Sequence, residues 1–264
     1  MYELAPNIEV LFTEAGDYQD RVRAAAAAGF TAVEMWGPTG NDAPAKPKDL
    51  PALKAALQET GVRLTAQLSE PRTQFMLPGF DHAPFFEKLD EGVAIAQDLG
   101  TTHIVVQGGT GFGGSKRQTQ LDQLVEIYSK ATAQIDGSGV TLVFEAVNGR
   151  VDHPGTLIDR TADAAYIARG VDSPFFGIVY DIYHSVVEGE DVEQALADAA
   201  GVVRYVQLAD APGRGEPGTG AIDWVATLGL LRASGYDGPI GLEYFPTTES
   251  VASVAHIRDV AARA

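Results

Sequence analysis

Short apolar runs alternate with amphipathic stretches along the whole chain, and several of the runs share an ending. TLVFE stops on Glu145, FGIVYD on Asp181, VRYVQ on Gln207 and PIGLE on Glu243. Each run has the length and near-continuous apolarity of a strand buried on both faces, so the oxygen-bearing residue at its end is no solvated ornament. Between the runs the chain reads as helix or as loop. Ile8–Phe12 reads as the first strand and Asp17–Ala28 as a helix stopped by Gly29; its alanine run, 24–28, suits close packing on a sheet. Strands follow over 31–35 and 62–68, with a Pro/Gly-rich loop at 36–47 and a helix at 50–60. A long irregular connection, 69–84, precedes a helix to Leu99, a strand at 102–107, the glycine-rich 108–114 and a helix at 118–135. After the run ending at Glu145 come helices at 161–169, 191–200, 224–233 and 249–263, with strands at 176–181, 202–209 and 239–245.

Eight strand–helix units in strict alternation imply a parallel sheet. Eight units in 264 residues, with no compositional break, predict one closed α/β structure, a (β/α)8 or TIM barrel over 1–264, rather than an open doubly wound sheet. The ends of parallel strands meet at one rim. Glu145, Asp181, Gln207 and Glu243, on four successive strands, therefore converge there. Taken singly, each would be an ordinary polar strand end. Together, three carboxylates and an amide oxygen are a hard donor set suited to Mg²⁺ or Mn²⁺. Without a cation they would repel and raise one another's pKa.

Composition narrows the chemistry. The 19 basic and 36 acidic residues leave a net charge of −17, which disfavours nucleic acid and anionic membranes as partners. No cysteine is present, which excludes disulfides, thiolate nucleophiles and cysteine–zinc sites. The N-terminus lacks a signal-peptide pattern and no apolar run is long enough to span a membrane, so a cytoplasmic location is expected. The expected partner is a small hydroxy-keto acid or sugar; whether the chain forms a homo-oligomer is left open. His184, three residues beyond Asp181, is placed to meet a substrate hydroxyl. His153 is a weaker candidate, and His103, at the other end of its strand, reads as structural. In the loop after strand seven, Arg214 could fork a substrate carboxylate, and Glu216 lies beside it. GGTGFGG lacks the ending of a P-loop, and no GxSxG elbow occurs.

With these pieces in place the chain resembles the hydroxypyruvate isomerase family of the xylose-isomerase-like barrels. The matching segments are NIEVLFTE, AGFTAVE, FEAVN with VDHPG, YDIYHS, YVQLADAPGRGEPGTGAIDW and GLEYFP, which span the chain. The resemblance implies a divalent metal held by Glu145, Asp181, Gln207 and Glu243, with Glu145 and Glu243 as the acid–base pair. It also implies His184, Arg214 and Glu216 at the substrate. The related ketose 3-epimerases carry a histidine and a second glutamate where this chain has Gln207 and Val151, which favours a short hydroxy-keto acid. The expected reaction is hydroxypyruvate to tartronate semialdehyde, by proton transfer through a metal-stabilised enediolate. The alternatives are a 2-oxo-tetronate isomerase or ketose 3-epimerase using the same site, a dehydratase of the same barrel class, and a non-catalytic sugar-acid binder. The nuclease branch is disfavoured by the acidity and the scarcity of histidine.

Overall fold

The computed structural model describes residues 2–39, 47–68 and 74–263. Eight parallel strands form one sheet: β1 (Leu4–Pro6), β2 (Ala32–Met35), β3 (Arg63–Leu68), β4 (His103–Gln107), β5 (Thr141–Glu145), β6 (Phe176–Asp181), β7 (Val203–Leu208) and β8 (Ile240–Leu242). Neighbours run β1-β8-β7-β6-β5-β4-β3-β2. The remaining seam is joined by a parallel bridge from Asn7 to Glu34, with the Ile8 N–H donating to the Glu34 carbonyl at 2.9 Å. Outside lie α1 (Tyr18–Ala27), α2 (Leu50–Thr60), α3 (Ala83–Leu99), α4 (Arg117–Gln134), α5 (Thr161–Val171), α6 (Ile182–Glu188), α7 (Val192–Asp198), α8 (Trp224–Ala233), α9 (Ser250–Ser253) and α10 (Ala255–Arg263). No helix among the described residues is long and apolar enough to cross a membrane.

The expected barrel is present, with local differences. The first strand is Leu4–Pro6, and Ile8–Phe12 forms a turn whose apolar side chains are nevertheless buried. Burial without a ladder reads like a strand in sequence. α6 was not expected. It starts on Asp181, whose carboxylate accepts the His184 N–H at 3.2 Å as an N-cap, and ends at Gly189 in the left-handed region. The last helix is divided at Val254. Of the two long connections, 40–46 and 69–73 lie outside the described residues. The part of the second that is described carries Phe75 and Met76 into the core.

Two apolar shells sit between the sheet and the helices, one on the β1, β2, β7 and β8 side and one over β4–β6. Inside the barrel a smaller cluster joins Ala66, Val105, Val143, Val179 and Tyr205. Strand alternation places the residue two positions on above each of these. Over Val105, Val143, Val179 and Tyr205 stand Gln107, Glu145, Asp181 and Gln207. Register aligns Gln107 with Glu145 and Asp181 with Gln207. A packed apolar floor thus carries a ring of polar tips at the C-terminal rim, the end at which barrels of this kind hold their active sites.

Candidate active site

The rim surrounds a cleft lined by Glu34, Trp36, Leu68, Gln107, Glu145, His153, His184, Gln207, Arg214 and Glu243, among others. Glu145, Asp181 and His184 are buried and each offers one atom within a set whose members lie within 4.8 Å of one another. Glu145 Oε2 accepts from Gln107 Nε2 at 2.6 Å. Glu243, beyond the end of β8, accepts from the Trp36 indole N–H and, at 2.8 Å, from Arg214 Nη2. Gln207 donates Nε2 to Glu34 at 3.1 Å, while its Oε1 is buried with no hydrogen-bond partner among the described residues.

Burial dominates the electrostatics. It raises Glu145, with the Glu243 and Asp181 charges adding to it, to about 8. Burial also raises Glu243 and Asp181, in each case opposed by the Arg214 charge. For Arg214 itself, burial works against the charge, but Glu243, Asp181, Glu145 and Asp152 outweigh it and hold the guanidinium firmly protonated. Its Cζ stands 5.2 Å from the Tyr183 ring centroid and 6.0 Å from that of Phe245.

The orientation of His184 follows from a main-chain group. Its Nδ1 accepts the Asn148 backbone N–H at 3.2 Å, an unambiguous donor. The proton of the neutral ring therefore sits on Nε2, which faces Glu145 Oε1 at 3.7 Å and Asp181 Oδ2 at 3.8 Å. The Asn148 side chain is fixed in turn by Asp152, at 2.7 Å, and His153 packs beside His184 with ring centroids 5.4 Å apart.

Arg214 is delivered by the loop after β7, and the buckle of that loop is Asp210. This carboxylate is fully buried and accepts the backbone N–H of Ala211 at 2.9 Å and of Gly218 at 2.6 Å, and the Trp224 indole at 3.0 Å. Burial alone would raise its pKa; the donors, Trp224 foremost, outweigh burial and lower it. Arg214 itself adopts a left-handed φ of 55°, and its side chain reaches Glu243 at the rim.

The structure therefore brings Glu145, Asp181, Gln207, Glu243, His184 and Arg214 together. Glu216 is placed elsewhere: both its oxygens are taken by Thr247, from the backbone N–H at 2.8 Å and the hydroxyl at 2.6 Å. It ties the Arg214 loop to the segment after β8 and does not line the cleft. His103, as expected, is structural, with Nδ1 3.2 Å from the Thr65 carbonyl at the floor of the barrel.

Several residues at the site were not identified from sequence. Gln107 and Glu34 end or nearly end apolar runs in the same manner as the four candidates, so the signal was present. Trp36 and Asn7 carried none, because their roles depend on strands distant in sequence. Behind Trp36 lies a buried ion pair, Lys48 with Glu9; the latter also accepts the Trp36 backbone N–H at 3.2 Å and the Tyr18 hydroxyl at 2.7 Å.

Comparison with known proteins agrees with this geometry. The family model described as "Xylose isomerase-like TIM barrel" matches residues 22–260. A putative hydroxypyruvate isomerase of Streptomyces coelicolor is 35% identical over 250 residues, covering 91% of this chain and 89% of the relative. The hydroxypyruvate isomerase of Escherichia coli is 30% identical over 258 residues, covering 96% and 97%. A crystal structure described as an AP endonuclease of family 2 from Brucella melitensis superposes with a TM-score of 0.84 at 23% identity, covering 98% and 99%, a likeness of fold alone. The chain belongs to the xylose isomerase-like TIM barrel family, among the homologues of hydroxypyruvate isomerase.

Proposed function

We propose that this protein is a divalent-metal-dependent isomerase that interconverts hydroxypyruvate and tartronate semialdehyde, or a close hydroxy-keto acid, by moving a proton between adjacent carbons. The observation that carries the reading is the placing of two buried carboxylates, Glu145 and Glu243, from separate strand ends on one cleft that the Arg214 guanidinium also lines. Two carboxylates facing one small cleft can act as base and acid on adjacent carbons of a substrate held between them. The isomerase relatives support the reaction class and supply the substrate in this reading.

The donor set fits a hard divalent cation. Gln207 Oε1 is a buried acceptor with no hydrogen-bond partner, and Glu145 and Asp181 place oxygens close together under a shared burden of negative charge. Glu145, Asp181, Gln207 and Glu243 would hold Mg²⁺ or Mn²⁺. His184 is better suited to the substrate. Its Nδ1 lone pair receives a main-chain N–H, so Nε2 presents a proton rather than a lone pair. When bound, the cation supplies electrostatic stabilisation for negative charge developing on the carbonyl and adjacent hydroxyl oxygens.

The remaining work falls to the chain's own residues. One of Glu145 and Glu243 takes a proton from the hydroxyl-bearing carbon beside the carbonyl, and the other, starting protonated, gives one to the former carbonyl carbon. The substrate's hydroxyl proton passes to the former carbonyl oxygen, and the two glutamates exchange protonation states, to be reset with solvent. His184 Nε2–H donates to a substrate oxygen. The Arg214 charge opposes the burial that raises Glu243, and its Nε, buried with no hydrogen-bond partner among the described residues, leaves donor capacity for the substrate carboxylate. That also explains how a protein of net charge −17 would retain an anion. Trp36, Leu68 and His153 wall the cleft and favour a short substrate.

The test is proton NMR in D₂O with hydroxypyruvate and Mn²⁺ or Mg²⁺. Wild type should introduce deuterium at carbon and lose this activity to EDTA, regaining it with added cation. Glu145→Gln and Glu243→Gln should each slow turnover by roughly 10²–10⁴-fold, as for a lost general acid or base. Wild-type turnover in both metal-loaded variants would remove the two glutamates from the chemistry.

A further inference from the structure

Glu34, at the floor of the cleft, has none of the roles assigned above. It is 1% exposed, and three donors converge on its two oxygens. The Tyr205 hydroxyl reaches Oε2 at 2.7 Å; Gln207 Nε2 and Asn7 Nδ2 reach Oε1 at 3.1 and 3.0 Å. Both amides lead onward to the rim. Asn7 Nδ2 also lies 3.5 Å from Glu243 Oε1, and the opposite end of Gln207 is the buried, unpartnered Oε1. Space for the carboxyl comes from β8. Gly241 pairs with Gln207 across the strands, and a Cβ there would collide with the Glu34 carboxyl.

A glutamine amide has two ends of nearly equal size and opposite polarity. The oxygen attracts a cation and the NH₂ repels one, so a glutamine ligand works only if something decides which end faces the site. Glu34 Oε1 receives both amides and is an acceptor whether the carboxyl is ionised or carries a proton on Oε2 beside Tyr205, and it therefore selects the NH₂ end. We propose that Glu34 is a positioning residue: it holds the Gln207 amide by its nitrogen so that the oxygen faces the divalent cation, and through Asn7 it links that ligand to Glu243. The inference rests on the metal site proposed above and concerns how one of its ligands is oriented.

The experiment is Mn²⁺ binding to the cation-free protein, by titration calorimetry and by loss of the free Mn²⁺ electron paramagnetic resonance signal, without substrate. No binding by wild type overturns the metal-site reading itself, and this inference with it. If wild type binds, Glu34→Met, of similar length but without an acceptor, should weaken binding by roughly 10–100-fold, the usual effect of losing an outer partner of a metal ligand. Glu34→Gln keeps an acceptor for both amides and should stay near wild type. Adding Gln207→Glu to Glu34→Met presents an oxygen whichever way the group turns, and should recover most of the loss. The same Gln207→Glu change in wild type sets two carboxylates against each other and should give no such gain. Wild-type affinity in Glu34→Met overturns the inference, as does a gain from Gln207→Glu that is equal in both backgrounds. If Glu34→Met fails to fold, Gly241→Ala replaces it. That variant removes no ligand but displaces the carboxyl, so weakened Mn²⁺ binding is expected, and wild-type affinity overturns the inference.

Discussion

Replacing Arg214 by methionine takes one positive charge away from Glu243, Asp181, Glu145 and Asp152 while keeping an apolar stem against Tyr183. The pair with Glu243 is close, at 2.8 Å, and shielded, with side-chain exposures of 14% and 8%. Removing one partner of such a buried pair typically costs roughly 3–5 kcal/mol, because the other charge is left uncompensated. At roughly 2–4 °C per kcal/mol for a chain of this size, that is a fall of roughly 6–20 °C in melting temperature. The fall should depend on pH. Glu243, Asp181 and Glu145 are already raised by burial and lose a lowering influence when Arg214 goes, so in the variant they take up protons more readily. Between about pH 5 and about pH 9 rising pH works to charge these carboxyls beside one another with no counter-charge, so the loss should grow with pH, and it should shrink toward the acid end as they take up protons. The assay is thermal unfolding by circular dichroism across that range after removal of divalent cations. A loss of the same size at every pH would mean that Arg214 supports the fold by packing alone. It would refute its role as counter-charge to the acidic rim.

Two further outcomes follow from the same geometry. Glu34 and Glu145 have folded pKa values raised to about 8 from an ordinary 4.5, for Glu34 by burial first and then by Glu243. The folded state therefore binds more protons than the unfolded one between these values, and the stability they contribute is complete below about pH 4.5 and lost as pH rises through about 8. Cation-free protein should lose melting temperature over that interval and added Mn²⁺ should flatten the loss; a rising or flat cation-free profile would contradict it. Asp210→Asn sets an NH₂ against N–H donors in a fully buried site and should destabilise by roughly 1–3 kcal/mol. Because that loop carries Arg214, KM for an acid substrate should rise as well, and an unchanged KM with a lowered melting temperature would confine Asp210 to stability.

Apart from the first strand and α6, the order of strands and helices was legible because the strands are short, largely apolar runs and the helices carry their own period and stop signals, properties of contiguous residues. Convergence at the rim was legible for the same reason. A parallel strand that ends in a carboxylate points it to the same end as its neighbours, so Glu145, Asp181, Gln207 and Glu243 could be grouped before any coordinate was known. What could not be read were the relations set by barrel closure. Ile8–Phe12 looks like a strand because its burial comes from a turn folded under the Ser250 segment, where the Phe12 N–H donates to Ser250 Oγ at 2.7 Å. Glu216 looked like a neighbour of Arg214, but one residue separates them in a loop whose backbone turns at Arg214, and Thr247 from beyond β8 takes both oxygens. Glu34 and Gly241 are 207 positions apart, yet one provides a carboxyl and the other the space it occupies. Sequence by itself determined that the strand ends Glu145, Asp181, Gln207 and Glu243 reach the rim, through periodicity. Only the closed barrel decided what each one meets there, because the stagger of strands from opposite ends of the chain brings together groups that no local pattern connects.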